Sequence, residues 1–329
     1  MPIVGIAIIG VALFFDFING FHDSANVVAT MISSRAMSAR KALALSAAAH
    51  FCGPFLFGVA VATTIGHDVV DPNSITIVVI FAALLAAIIW NLATWYLGIP
   101  SSSSHALIGG LVGAVSIDFG FAMIQMRGLL KIIVALFVSP IMGLVLGYLL
   151  MRLVLFLARG ASPRINWFFK RAQFVTSLAL ALSHGTNDAQ KTMGIIAMAL
   201  VTMGYSSEFS VPWWVIALSA GAISLGTALG GWRIIRTLGG KFYKIRPVHG
   251  FTSQIASALI ILGAASLGGP VSTTQVVSSA ILGVGSAWHA SRVRWNVAGN
   301  IIAAWVLTIP ASALLAALLH LVINLLMQS

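Results

Sequence analysis

The chain has 329 residues, of which 59% are hydrophobic and only 8% are charged, against about 25% charged in an average soluble domain. This composition excludes a water-soluble protein and predicts an all-α polytopic membrane protein, because most segments must be solvated by lipid. The excess of 18 Lys and Arg over 7 Asp and Glu lies in short loops between apolar runs, which argues against a nucleic-acid-binding face, and the single Cys52 excludes a disulfide framework.

Ten apolar stretches follow one another along the chain, and several reach the ~20 residues that cross a bilayer core. They lie at about 3–34, 41–66, 75–98, 101–119, 129–158, 172–203, 211–232, 250–268, 271–287 and 295–327. The fourth and the ninth are short and begin with polar residues. We therefore expect a first transmembrane repeat over 1–158, a short basic cytoplasmic linker over 159–171, and a second transmembrane repeat over 172–329.

The two halves carry the same two polar motifs in the same order. Residues 20–26 interrupt the first apolar stretch, and residues 183–190 interrupt the sixth. Residues 100–105 and 270–275 then place hydroxyl side chains after a proline, and a glycine-rich apolar run follows each. This recurrence indicates an internal repeat. Each half has an odd number of crossings, whether all five stretches span or the third and fourth form a re-entrant hairpin, so the second repeat is expected to be inverted.

Loop charges predict the orientation of the chain. The basic loops fall on one side under the alternating count, and they lie around 35–41, 159–171, 233–246 and 292–294. The opposite side receives Asp68, Asp71 and Glu208, with Arg127 and Lys131 as exceptions. The positive-inside rule then places both termini outside the cytoplasm.

Two aspartates, Asp23 and Asp188, lie deep inside apolar stretches, where a carboxylate costs about 3 kcal/mol or more. One interpretation is structural: each is paired across a helix interface, with Lys191 as the partner one turn from Asp188. The other is functional, because equivalent aspartates in two repeats favour a transport site at the repeat interface. Asp16, two turns before Asp23, either extends this polar path or lies near the outer surface.

Glycines and polar residues surround both aspartates. Gly20 and Gly185 are expected to break the helices there, which frees backbone carbonyls for Na⁺ and amides for anions. Histidines in the motifs are candidates for proton transfer, although a lone membrane histidine more often packs with a hydrogen bond; they are His22, His105 and His184. The predicted cation-coupling residues are Asp23, Asp188, His22 and Asn187, with the two aspartates as Na⁺ ligands if sodium is the coupling ion.

Hydroxyl side chains precede the short apolar helices at 101–104 and 272–274. Capping of a helix needs one hydroxyl, not three or four. A helix N-terminus with additional neutral donors inside the membrane is an oxyanion site. The predicted anion-binding residues are Ser102, Ser103, Ser104, Ser272, Thr273, Thr274, Asn26 and Gln190.

A charge count connects the two groups of residues. A doubly charged oxyanion beside Asp23 and Asp188 is strongly repelled in a low-dielectric site. Binding therefore requires that protons, Na⁺ or a divalent metal neutralise the carboxylates or the anion, which is the behaviour of a symporter. A channel would need a continuous polar lining, and the polar residues here form two clusters. The sequence contains no Walker A or His-Glu-x-x-His motif, so we expect that the protein is not an enzyme.

With these motifs in view, the chain closely resembles the inorganic phosphate transporter (PiT) family over essentially its whole length. The resemblance is carried by residues 20–26 and 185–190 and by the hydroxyl motifs at 100–105 and 270–275. Residues 19–23 and 90–92 are most similar to bacterial low-affinity, proton-coupled carriers, which move phosphate, often as a neutral metal–phosphate complex. The resemblance implies two inverted repeats with broken helices and re-entrant hairpins, a homodimer in the bacterial inner membrane, and phosphate bound between the broken helices and the hairpin tips.

One departure from the family pattern concerns the coupling ion. His22 stands where the family usually has Asn, whereas the second repeat keeps Asn187. An imidazole is a poor Na⁺ ligand, so this departure favours H⁺. We therefore expect a carrier that imports inorganic phosphate with H⁺ and needs no cofactor, with phosphate and membrane lipid as its partners. Coupling to Na⁺, and transport of sulfate or another tetrahedral oxyanion, are the alternatives.

Overall fold

The computed structural model describes residues 3–67 and 75–328. Within these residues the chain forms α-helices and no β-strand, which confirms the all-α fold class. The helices are α1 Ile3–Ser33, α2 Ala39–Leu56, α3 Ala60–His67, α4 Ile77–Leu97, α5 Ser103–Phe119, α6 Met126–Leu157, α7 Ile165–Thr202, α8 Trp213–Leu229, α9 Trp232–Arg236, α10 Pro247–Ser266, α11 Thr273–His289 and α12 Trp295–Gln328. Asp68, Asp71 and both chain termini, which entered the orientation argument, lie outside the described residues.

Five of these helices are long and apolar enough to cross a membrane, namely α1, α4, α6, α10 and α12. Two further spans are bent. The α2–α3 pair turns by 79°, and α8 turns by 59° into the segment 232–241. A glycine with positive φ stands at each bend, Gly58 at 76° and Gly230 at 73°, a conformation that costs glycine little. The broken helices are therefore the second segment of each half, and the chain is a multi-pass membrane protein.

The prediction that Gly20 and Gly185 break their helices is wrong. Both α1 and α7 continue through these positions without interruption. A Cβ atom at Gly20 would overlap the backbone of Ile223, and one at Gly185 would lie 2.7 Å from the Cα of His50. The two glycines therefore permit close packing of helices instead of unwinding them.

The central basic linker is shorter than the sequence indicated. We expected a linker over 159–171, and α7 already begins at Ile165. The helical residues 165–171 continue into the apolar part of α7, so only 158–164 join the two halves outside a helix.

Helix packing in one half has its counterpart in the other. The contacts of α1 with α8 and α4 correspond to those of α7 with α2 and α10. Likewise α5 packs on α12 as α11 packs on α6, and α4 packs on α5 as α10 packs on α11. This correspondence supports two structural repeats that interlock along α1 and α7. The inverted orientation of the repeats in the membrane stays a prediction.

Helix α8 approaches α1 closely at Gly226. A Cβ added at Gly226 would overlap the backbone of Phe17 on α1, whereas one at Gly221 of the same helix meets open space. We expect Gly226→Ala to lower the free energy of unfolding by about 1–3 kcal/mol. Gly221→Ala is the matched control and should be neutral or stabilising, since alanine is the better helix former. Thermal unfolding in one detergent measures both, and equal melting temperatures would contradict the packing described.

Candidate functional site

The crossing of α1 and α7 brings the two membrane aspartates together. Asp23 is 1% exposed and Asp188 is fully buried, so neither carboxylate faces lipid. One carboxylate oxygen of each and a ring nitrogen of His184 all lie within 4.8 Å of one another. Two buried carboxylates this close are stable only with positive charge or hydrogen-bond donors around them.

The N-termini of α5 and α11 supply some of those donors, and one hydroxyl in each helix is used for capping. Ser102 Oγ accepts a hydrogen bond from the backbone N–H of His105 at 3.2 Å. Ser272 Oγ accepts one from the backbone N–H of Gln275 at 3.3 Å. These two residues are N-caps. The remaining hydroxyls of each motif are available for other contacts.

Three of the remaining hydroxyls converge on the carboxylates. Ser103 Oγ donates to Asp23 Oδ2 at 3.3 Å, and Thr274 Oγ1 donates to Asp23 Oδ1 at 3.1 Å. Thr273 Oγ1 donates to Asp188 Oδ2 at 3.1 Å. Asp23 thus accepts hydrogen bonds from the N-termini of both short helices. The structure places the predicted anion donors and the predicted cation ligands in one buried site.

Backbone and amide groups join the two helix N-termini to each other. The carbonyl oxygen of Val271 accepts hydrogen bonds from Asn187 Nδ2 at 3.1 Å and from Ser104 Oγ at 3.3 Å. Asn26 Nδ2 donates to Thr274 Oγ1 at 3.0 Å. His105 Nδ1 lies 3.2 Å from Gln275 Nε2, so this histidine connects α5 to α11. Within the described part of the chain it forms no ion pair with Asp23 or Asp188.

The two aspartates differ in their charged neighbours. Lys191 Nζ donates to Asp188 Oδ1, and both side chains are fully buried. Asn187 Nδ2 donates to the same oxygen at 2.9 Å. Asp23 has a neighbouring imidazole instead, with His22 Nδ1 at 2.6 Å from its Oδ1. Asp188 therefore has a permanent cation beside it, as the structural interpretation of the sequence allowed, whereas no Lys or Arg among the described residues forms an ion pair with Asp23.

Gln190 does not join this site. Its side-chain oxygen accepts hydrogen bonds from the backbone N–H groups of Val61 at 2.8 Å and Ala62 at 3.3 Å. These are orphan donors in the first turn of α3, so Gln190 caps that helix. The predicted contact of Gln190 with an anion is not supported by this geometry.

Sequence reasoning missed His50, which adjoins the site. Its ring stacks on that of His184 with centroids 4.8 Å apart. Its Nδ1 atom lies 2.7 Å from Thr227 Oγ1. A histidine inside the otherwise apolar stretch 41–66 was the only signal in the sequence that could have identified it.

The profile of the Phosphate transporter family matches residues 19–316, which include both aspartates and both hydroxyl motifs. The chain belongs to this family. A "Probable low-affinity inorganic phosphate transporter" of Rhizobium meliloti (strain 1021) is 49% identical over 96% of this chain and 95% of its own length. A protein of the same description from Bacillus subtilis (strain 168) is 48% identical over 98% of each chain.

A solved structure has the same fold. The chain aligns with a structure titled "The sodium-dependent phosphate transporter" at a TM-score of 0.88 and 25% identity, over 98% of this chain and 99% of that one. Membership of the phosphate transporter family confirms the resemblance seen in the sequence. The relatives are named as transporters, which also confirms that this is a transport protein and not an enzyme.

Proposed function

We propose that this member of the phosphate transporter family is a secondary symporter that imports inorganic phosphate together with H⁺. The observation that carries the proposal is the meeting of hydroxyl donors from two helix N-termini with two buried carboxylates at the crossing of α1 and α7. Helix N-termini favour anions, and buried carboxylates favour cations. A site that contains both is suited to cotransport. We also propose a homodimer in the bacterial inner membrane with both termini outside the cytoplasm.

The hydroxyl groups couple phosphate binding to the protonation of Asp23. Each serine or threonine hydroxyl has a single hydrogen to donate. Ser103 and Thr274 donate theirs to Asp23. Once Asp23 takes up a proton, its need for donors falls, and the two hydroxyls turn to the oxygens of phosphate. Phosphate and the charged form of Asp23 thus compete for the same donors, which makes proton uptake a condition for anion binding.

Electrostatics points to Asp23 as the residue that takes up the proton. Two unit charges 4 Å apart repel by about 4 kcal/mol at an effective dielectric constant of 20. Lys191 already offsets the charge of Asp188, whereas the basic groups described near Asp23 are the imidazoles of His22 and His184. A phosphate that approaches this site is therefore repelled chiefly by Asp23 until that carboxylate is neutralised. Phosphate near neutral pH carries a proton that it can donate to an aspartate in a hydrogen bond. Sulfate has no such proton, so the buried aspartates favour phosphate over sulfate.

Sodium coupling is the second candidate. Asp23, Asp188 and His184 offer three ligand atoms within 4.8 Å of one another, and the solved structure with the same fold is titled as sodium-dependent. The imidazoles of His22 and His184 disfavour this alternative, since Na⁺ prefers oxygen ligands. A divalent metal would enter as cargo, in a complex with the phosphate.

Replacement of the hydroxyl donors tests the anion site. We expect Ser103→Ala and Thr273→Ala each to weaken phosphate binding by about tenfold or more, since a hydrogen bond to a charged group contributes about 1.5–3 kcal/mol. Ser286→Ala is a matched control, because this serine lies at the far end of α11 and its hydroxyl donates to Leu282 O of the same helix. Direct binding of labelled phosphate to purified protein measures the effect. Unchanged affinity in both variants would contradict the assignment of these two hydroxyl groups as anion donors and leave them as partners of the aspartates.

Uptake into proteoliposomes tests the function itself. Purified protein is reconstituted, and labelled phosphate uptake is followed with a pH gradient or a Na⁺ gradient imposed separately, with sulfate as the competitor. The proposal predicts concentrative uptake driven by the pH gradient and little inhibition by sulfate. Accumulation that follows only the Na⁺ gradient would show that the coupling ion is Na⁺ and not H⁺. Transport of sulfate in preference to phosphate would overturn the proposed substrate.

A further inference from the structure

A third buried carboxylate lies on α1, outside the site described above. Asp16 precedes Asp23 by seven residues, about 10 Å along the helix axis. Its side chain is fully buried, and neither carboxylate oxygen forms a hydrogen bond with any described residue. A charged carboxylate in such surroundings is unstable unless a positive charge joins it.

Other polar groups without partners surround Asp16. The side chains of Asn19 and Thr192 are close enough to interact with its carboxylate, yet neither completes a hydrogen bond with it. Both of these side chains are fully buried. Helix α1 therefore contributes a carboxylate and an amide one turn apart, and α7 contributes a hydroxyl opposite them.

Helix α4 adds a second amide at the same level. The C-terminal ends of α1 and α4 both contact the segment 232–241, so the two helices run in the same direction. Thr94 Oγ1 of α4 lies 3.4 Å from His22 Nε2 of α1. One turn earlier on each helix stand Asn91 and Asn19, whose side-chain atoms all lack hydrogen-bond partners among the described residues.

The ionisable groups that act on Asp16 come from α7. They are Asp188 and Lys191, and the ammonium group of Lys191 is committed to Asp188. On α1 itself the nearest ionisable residues are His22 and Asp23. Helix α8 has no ionisable side chain, and α4 has only the exposed Tyr96.

The remaining neighbours of α1 lie elsewhere. On α2, the imidazole of His50 forms a hydrogen bond with Thr227. The basic residues of α2, Arg40 and Lys41, lie in its first turn, well before His50. The segment 230–241, α10 and α11 contact α1 beyond Gly20, at Ser24, Thr30 and Asn26. No described cation is therefore placed to form a direct ion pair with Asp16.

We propose that Asp16 is a second cation-binding group of this carrier, that its cation is H⁺, and that Asn19, Asn91 and Thr192 form the polar pocket around it. This inference rests on the proposed proton-coupled phosphate transport. Lys191 neutralises the charge of Asp188 permanently. The other two buried carboxylates, Asp16 and Asp23, each need a mobile positive charge. The two mobile protons offset the two negative charges of a doubly charged phosphate.

The two protonated groups have different tasks. Asp23 contacts the anion donors, so its proton is linked directly to phosphate binding. Asp16 is two turns away and makes no contact with the hydroxyl motifs. Its protonation is required for the loaded carrier to change conformation, because a charged carboxylate would otherwise move through a dry interior. The same proton is released on the cytoplasmic side, and no other bond is made or broken.

The test compares the full-length carrier with Asp16→Asn in proteoliposomes at zero membrane potential. Each coupled proton multiplies the equilibrium accumulation of phosphate by about ten for a gradient of one pH unit. We expect Asp16→Asn to accumulate at least about tenfold less phosphate than the wild type. Exchange of phosphate at equal pH on both sides should persist, because the hydroxyl motifs are intact. Wild-type accumulation by Asp16→Asn would overturn the inference.

Controls separate this inference from the proposed function and from a folding defect. Asp118→Asn changes an aspartate that contacts His320, outside the site, and should accumulate phosphate as the wild type does. Asp16→Glu keeps a carboxyl group and should retain coupling; an equal loss in both Asp16 variants would indicate a structural role and contradict the inference. A wild type without any pH-driven uptake would contradict the proposed function instead.

Thr192→Val provides a second test that does not depend on folding of Asp16→Asn. It keeps the carboxyl group and removes the hydroxyl opposite it. The pH at which uptake is half-maximal should shift, since a polar neighbour of the titrating group is lost. An unchanged pH profile in this variant would overturn the assignment of Asp16 as a proton-binding group.

Discussion

Asp23→Asn is expected to lower concentrative phosphate uptake by at least about tenfold at a gradient of one pH unit. Asp23 is the carboxylate that accepts hydrogen bonds from both helix N-termini, through Ser103 and Thr274. An asparagine has no charge to neutralise, so phosphate binding no longer requires a proton. The variant should bind phosphate with an affinity that no longer depends on the protonation of this site. A pH gradient should then drive less accumulation than in the wild type, because only the proton of Asp16 is still coupled to transport.

Labelled phosphate uptake under an imposed pH gradient measures this effect. At a gradient of one pH unit, loss of coupling removes at least about a factor of ten in accumulation. Asp118→Asn serves as the control, since this residue is 27% exposed and contacts His320 away from the site. Concentrative uptake at the wild-type level by Asp23→Asn would remove this residue from the coupling mechanism.

Lys191→Met is expected to cause the largest loss of stability. Lys191 and Asp188 form a fully buried ion pair. Removal of one partner leaves the other charge unpaired in the interior, which costs about 3–5 kcal/mol. The double variant Lys191→Met with Asp188→Asn removes both charges and should recover most of the lost stability, because replacement of a whole buried pair is often nearly neutral.

Thermal unfolding of the wild type, the single variant and the double variant in the same detergent gives the comparison. We expect the melting temperature to drop strongly in Lys191→Met and to return partly or completely to the wild-type value in the double variant. If both variants were equally destabilised, the contribution of Lys191 would come from packing of its side chain and not from its charge.

Composition and periodicity were enough to predict the helical architecture. All ten apolar stretches correspond to helices or bent helix pairs, since the need for lipid solvation determines where apolar residues occur. The location of the breaks could not be predicted. A glycine that unwinds a helix and one that admits a neighbouring backbone both lack a Cβ atom, so Gly20 and Gly185 resembled helix breaks, while the bends occur at Gly58 and Gly230.

Part of the site also followed from the sequence. Equivalent positions in the two repeats pair Ser103 with Asp23 and Thr273 with Asp188. The additional contact of Thr274 with Asp23 crosses between the halves, and only the three-dimensional packing of α11 against α1 produces it. Gln190 was misjudged for a related reason, because its amide reaches α3 only after the α2–α3 bend has brought that helix near.

In the proposed mechanism, the anion enters this buried site only together with positive charge. The most direct measurement is the movement of protons into proteoliposomes that contain a pH-sensitive dye, when an inward phosphate gradient is applied without Na⁺ and without a pH gradient. We expect phosphate entry to acidify the interior of vesicles with the wild type, and to acidify it less per phosphate with Asp23→Asn. Phosphate entry by the wild type with no accompanying proton movement would contradict the proposed mechanism.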